Sequence, residues 1–127
     1  MKRLSIGGLA LIIIIGSSFF GGYLTGKSHY KKMTHVVLFS KKEGISDATW
    51  DTVMKESKVL ADVPTVWNYS CGPLVKPVNG LTHALVMEFR DKKALQTYID
   101  HDIHKGWVAT YMRPNRDKVL VADIWSQ

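Results

Sequence analysis

The chain has too little cysteine for a disulfide framework: Cys71 stands alone among 127 residues, so no intrachain bridge can form. That fits a reducing compartment or an exported domain whose core needs no covalent staple. A small half-buried residue at a strand end is the ordinary role for such a cysteine. Acidic residues are absent from positions 1–32, which hold Lys2, Arg3, Lys27, Lys31 and Lys32. The other 12 of the 17 basic residues face all 11 acidic ones in the remainder, so nearly all of the formal +6 belongs to the flanks of one segment. A charge-balanced domain offers no electrostatic footprint for DNA or RNA, and no nucleic-acid partner is expected.

Charge is missing altogether from Leu4 to Leu24, LSIGGLALIIIIGSSFFGGYL. About 20 apolar residues cross roughly 30 Å of hydrocarbon, so residues 1–24 read as a single-pass membrane anchor and residues 25–33 as a basic tether. A cleaved signal sequence is the alternative, since a basic start precedes the apolar run. Small-x-small cleavage sites are poor, with Gly16-Ser17-Ser18 too deep and Lys27 inside Gly26-Lys27-Ser28. The positive flanks nearly balance; the short start ahead of the segment favours an exported, extracytoplasmic domain.

Residues 34–127 carry the folded part. Thr34 to Ser40, THVVLFS, is β-branched and apolar and reads as a strand with His35, Val37 and Phe39 on one face and Val36 and Leu38 on the other. Ser46 is placed to cap a helix whose stripe is Trp50, Val53, Met54, Ser57, Leu60 and Ala61, stopped by Pro64. Val66 to Gly72 alternates as a second strand, Pro73 to Gly80 reads as a loop ending in Asn79-Gly80, and Leu81 to Arg90 is a third strand. Asp91 caps a second helix carrying Ala94, Leu95, Tyr98 and Ile99; after a break, Ile103, Trp107, Val108, Tyr111 and Met112 continue a helical stripe. Lys118 to Trp125 closes as a fourth strand. The order strand, helix, strand, strand, helix, strand is a split βαβ arrangement, an α+β fold with one antiparallel four-stranded sheet and helices on a single face. The other face is also apolar, with Val36, Leu38, Ala84, Val86, Leu120 and Ala122, and a second copy of the same sheet is the most economical cover. A homodimer through the open sheet face follows.

The segment richest in proton-transfer groups is Tyr98-Ile99-Asp100-His101-Asp102-Ile103-His104. Side chains six apart on a continuous helix point nearly oppositely, so Tyr98 and His104 converge only if the helix breaks near His101 and Asp102. Asp102 is a good candidate to cap the restart. A solvated helix end is the bland alternative. His101 and His104, with Asp100 or Asp102, have the spacing of a partial metal site, but no remaining ligand set is evident and none is expected.

His35-Val36-Val37-Leu38-Phe39, Gly72, Thr82-His83-Ala84-Leu85-Val86, the Tyr98 to His104 stretch and Val119-Leu120-Val121-Ala122-Asp123, in that order, resemble the stress-responsive dimeric α/β-barrel (Dabb) domain from about Thr34 to Trp125. The resemblance implies a ferredoxin-like dimer whose two sheets close a barrel. Most members have no established activity, so a homodimeric module that binds a small apolar ligand or a partner without catalysis is the first expectation. A plant member that cyclises a linear polyketide without any cofactor implies an alternative. On that resemblance His104 would be the catalytic base, Tyr98 its hydrogen-bonding companion, and His35 and His83 would lie around the ligand pocket. The family usually has proline where this chain has Asp102.

Overall fold

The computed structural model describes residues 31–126; the anchor read at 1–24 and most of the tether lie outside the described residues. The first strand, β1 (Met33–Lys41), is central in a sheet of order β2-β3-β1-β4, with β2 at Asn68–Val78, β3 at Leu81–Phe89 and β4 at Arg116–Trp125. All three pairings are antiparallel. Val37 lies opposite Leu85 on one side and Val121 on the other, which fixes face parity across the three strands. His35, Val37 and Phe39 share one face, as the alternation in the sequence requires.

The helices cover that face. Ser46 Oγ accepts from Thr49 N–H at 3.1 Å and starts α1 (Asp47–Glu56). From Ser57 to Asp62 the chain tightens into a 3-10 helix, and this corrects one position of the expected stripe. With three residues per turn, Ser57, Leu60 and Val63 point inward, whereas Ala61 turns out to solvent. The fully buried Ser57 hydroxyl donates to Met54 O at 2.6 Å and accepts from Tyr69 OH at 2.5 Å, so an otherwise apolar layer keeps its hydroxyls satisfied. Burial pushes the Tyr69 phenol up to about 12. Asp91 Oδ1 accepts from Ala94 N–H at 2.8 Å and starts α2 (Lys92–Asp100). A second segment, α3 (Asp102–Trp107), runs into a π-helical turn at Val108–Met112 and a last helical turn at Arg113–Asn115. Phe39, Trp50, Leu60, Leu85, Met87, Phe89, Leu95 and Tyr98 form the core between sheet and helices.

The stretch read as a loop, Pro73 to Val78, is instead the second half of β2. Its prolines are tolerated because β2 is an edge strand, and the register slips between Pro73 and Val78, where the ladder is interrupted. The reversal itself is only two residues: Asn79 and Gly80 both have positive φ, 51° and 78°, the twist an antiparallel hairpin prefers. On the opposite sheet face Val36, Leu38, Ala84 and Val86 are half-buried, while Leu120 and Ile124 of β4 are 54% and 53% exposed. An apolar face of this extent is left without cover by the helices.

Candidate functional site

The helix break between α2 and α3 brings the site together. Helix α2 stops at Asp100 because His101 is extended, with φ −69° and ψ 141°. His101 N–H donates to Tyr98 O at 3.1 Å, and the His101 Nδ1 accepts from Ile103 N–H at 3.2 Å. The expectation that Asp102 caps the restart is thereby corrected: His101 is the cap, and Asp102 is the first helical residue, where its carboxylate faces the positive end of α3. The turn of the chain brings His104 back over the end of α2. There its Nδ1–H donates to the Ile99 carbonyl at 2.8 Å, one of the acceptors a helix end leaves without an intrahelical donor. Tyr98 and His104, nearly opposed on a continuous helix, now have ring centroids 4.6 Å apart.

His35 joins them from β1. Its ring lies 6.1 Å from that of Tyr98, and its Nδ1 donates at 2.6 Å to Asp123 Oδ1, from the residue directly opposite on β4. For both imidazoles the Nδ1 is committed, which leaves Nε2 as the ring nitrogen open to a ligand. Burial holds the His104 pKa below the usual imidazole value; the Ile99 carbonyl opposes this, and the neighbouring His35 and Lys105 add to it. Neutral His104 with Nδ1 protonated carries its lone pair on Nε2, the state of a general base. The Tyr98 phenol, 1% exposed, is driven well above its ordinary value by burial and remains a hydrogen-bond donor.

These three polar side chains border a cavity of about 320 Å³. Val37 and Leu85 of the sheet, Ile99 of α2, and Trp107, Val108 and Met112 supply an apolar lining; Val119 and Val121 of β4 form the exposed side, and Arg116 also reaches it. The π-helical turn matters here. Residues five apart diverge on an α-helix, but the wider turn, closed by Arg113 N–H to Val108 O, carries Met112 round toward the face that holds Trp107.

His83 does not line this cavity, although it was expected around it. It sits toward the opposite end of β3, stacked on Phe39, with Nε2 accepting from Trp50 Nε1–H at 3.2 Å and Nδ1 bonded to Thr82 Oγ1 at 2.9 Å. Both nitrogens are thus satisfied, and the ring borders a separate polar depression with Lys41, Asp47 and Lys118. Four residues along β3 separate it from Met87, the partner of His35 across the sheet. His101 is likewise committed, as a cap. Sequence reasoning missed Arg116, which lies ahead of the strand read from Lys118, and gave Trp107 and Met112 no role beyond packing. The one sequence signal for Arg116 is the polar pair Asp117-Lys118, which interrupts apolar alternation just before Val119.

Residues 33–126 match the family model described as the stress responsive A/B barrel domain, Dabb. No curated protein matches the chain. Among solved structures, a Dabb-family protein with a ferredoxin-like fold from Mesorhizobium loti is 22% identical, with TM-score 0.69 over 76% of this chain and 98% of that one. A dimeric ferredoxin-like protein of unknown function from Thermobifida fusca is 19% identical, with TM-score 0.67 over 80% and 96%. A hydroxynitrile lyase from Passiflora edulis is 16% identical, with TM-score 0.70 over 77% and 95%. The split βαβ fold read from the sequence is therefore a ferredoxin-like one.

Proposed function

The chain belongs to the stress responsive A/B barrel (Dabb) family, and from that premise we propose that it is a homodimeric small-molecule-binding protein whose ligand occupies the cavity beside Tyr98, His104 and His35. The observation that carries this reading is a cavity of about 320 Å³, apolar on most of its wall and with three polar rings at one end. At about 30 Å³ per small group, it holds on the order of ten non-hydrogen atoms. Dimerisation uses the open sheet face, where Leu38, Val86, Leu120 and Ile124 would meet their counterparts; the dimeric neighbour from Thermobifida fusca supports self-association. Residues 4–24 tether the dimer to a membrane, a reading tested by whether the protein resists alkaline carbonate extraction.

Filling the cavity tests the binding site. The substitution Val37→Phe places a ring where the ligand would lie. Full-length protein should show His104 ring resonances that shift on titration with cyclohexanone, and the variant, at an unchanged melting temperature, should not respond. Equal responses would place the ligand elsewhere.

A second reading, catalysis without a cofactor, is favoured by the state of His104. Its neutral Nε2 beside a protonated Tyr98 is suited to removing a proton from a carbon next to a carbonyl. The C–H electron pair would move into the enolate, whose oxygen accepts a hydrogen bond from Tyr98 OH, and the proton would return from Nε2–H. The hydroxynitrile lyase among the structural neighbours indicates only that this fold can host an enzyme. In D2O, α-proton exchange of cyclohexanone should be accelerated by the wild type and fall to the buffer rate in His104→Ala. Binding without exchange would leave the protein a binding module.

A further inference from the structure

The β1–β4 ladder contains an irregularity at the cavity's edge. Phe39 pairs with Val119, yet Lys41 pairs with Arg116, so two steps along β1 are matched by three along β4. This is a β-bulge, and one inserted residue reverses the facing of everything beyond it. In a regular ladder Asp117 would share the face of Val119 and Val121, and Arg116 would point to the open sheet face. The bulge instead sends Arg116 to the helix-covered face and into the cavity wall. It is a built feature: Ser40, 6% exposed, sits opposite the bulge, and its Oγ accepts from Lys118 N–H at 3.1 Å, satisfying a donor that the distorted ladder would otherwise leave without a partner.

Arg116 so placed has no carboxylate within ion-pair distance among the described residues, where the four ion pairs belong to Lys32, His35, Lys41 and Arg90. Of the two acids of β4, Asp123 is already engaged by His35, and Asp117, next to Arg116 in the chain, borders the separate polar depression instead. The cavity thus has one permanent cation and no free anion. A guanidinium presents a planar fork that fits a carboxylate with two parallel hydrogen bonds.

We propose that Arg116 makes the cavity selective for small apolar carboxylic acids, the carboxylate pairing with the guanidinium at the exposed edge while about eight or nine carbon-sized groups fill the space towards Tyr98 and His104. This rests on the binding-site reading above and names its ligand class. Titration calorimetry with the purified full chain tests it, using octanoate and octanamide, which match in size and differ in charge. Wild type should bind octanoate roughly 10- to 100-fold more tightly than octanamide, the span expected of a charge-assisted hydrogen bond. The substitution Arg116→Gln should abolish that preference by weakening octanoate far more than octanamide, and Arg116→Lys should keep part of it. Equal affinities in the wild type, or a preference that survives Arg116→Gln, would overturn the assignment and leave the binding site standing. If neither compound binds, the cavity reading fails and the assignment fails with it. The wild-type comparison needs no variant, so a misfolded Arg116→Gln protein would not hide the answer.

Discussion

The geometry of the helix break can be tested at Asp102, where proline should be accepted. A residue preceding proline must be extended with ψ between about 120° and 160°, and His101 has ψ 141°. Asp102 is the first residue of α3, a position where helical φ is close to the −65° of proline and the missing N–H is one that has no intrahelical acceptor anyway. The side chain is exposed, so no packing is lost. Proline at a compatible position stabilises by about 0.4–1 kcal/mol, mostly by restricting the unfolded chain. Replacing Asp also removes a carboxylate from the positive end of a helix, worth about 0.3–1 kcal/mol, which nearly cancels the gain. The informative comparison is therefore Asp102→Pro against Asp102→Ala, since both lack the charge. For a domain near 100 residues the proline variant should melt roughly 2–8 °C above the alanine one. Thermal unfolding followed by circular dichroism at pH 7 provides the measurement. A proline variant that melts below the alanine variant would refute the assigned conformation of His101 and with it the basis for the meeting of Tyr98 and His104.

Other consequences are more direct. Ser57→Ala removes a buried hydroxyl that satisfies both the Met54 carbonyl and Tyr69; it should cost about 1–3 kcal/mol in urea unfolding, and a cost below 0.5 kcal/mol would mean those bonds contribute nothing net. His104 has a folded pKa below its unfolded value, so the native state binds fewer protons: its contribution is present above the unfolded pKa and lost as pH falls through the folded one. Wild type should accordingly lose more stability between pH 8 and pH 5 than His104→Gln does, and parallel losses would contradict the burial argument. Leu120→Arg places a charge on the half-exposed open face and should yield monomers in sedimentation, whereas an unchanged dimer would move the interface elsewhere.

How far the sequence carried depended on whether position is set locally or across the sheet. Period-2 alternation placed His35, Val37 and Phe39 on one face, and Ser46 and Asp91 marked two helix starts, because each of these is decided by neighbours within four residues. The helix break was legible as a requirement of Tyr98 and His104, but its cap was assigned by propensity to Asp102, and the imidazole one residue earlier took the role once its backbone was extended. Pro73 and Pro77 argued for a loop only while the strand's place in the sheet was unknown; at an edge, a missing N–H costs the ladder little. His83 failed for a similar reason. The resemblance put it at the pocket with His35, and the two do share a sheet face, yet distance along the strand, set by register, separates the two rings.

Arg116 shows the same limit most clearly, and it also shows what register adds to chemistry. Counted in sequence, 116 has the parity of Leu120 and Ala122, the open face, where a guanidinium would oppose docking of a second sheet. The bulge held by Ser40 removes that charge from the apolar face and places it beside the cavity in one step. A single inserted residue thus serves both proposed surfaces, because the open face stays apolar for association and the cavity gains the one cation its ligand would need. Deleting Asp117 tests this register: the inserted residue is gone, Arg116 then stands two positions before Val119 and still opposite Lys41, on the cavity face, so the variant should keep both its preference for octanoate over octanamide and its dimer. Loss of either, in a variant that keeps its melting transition, would show that this register does not set the facing of Arg116.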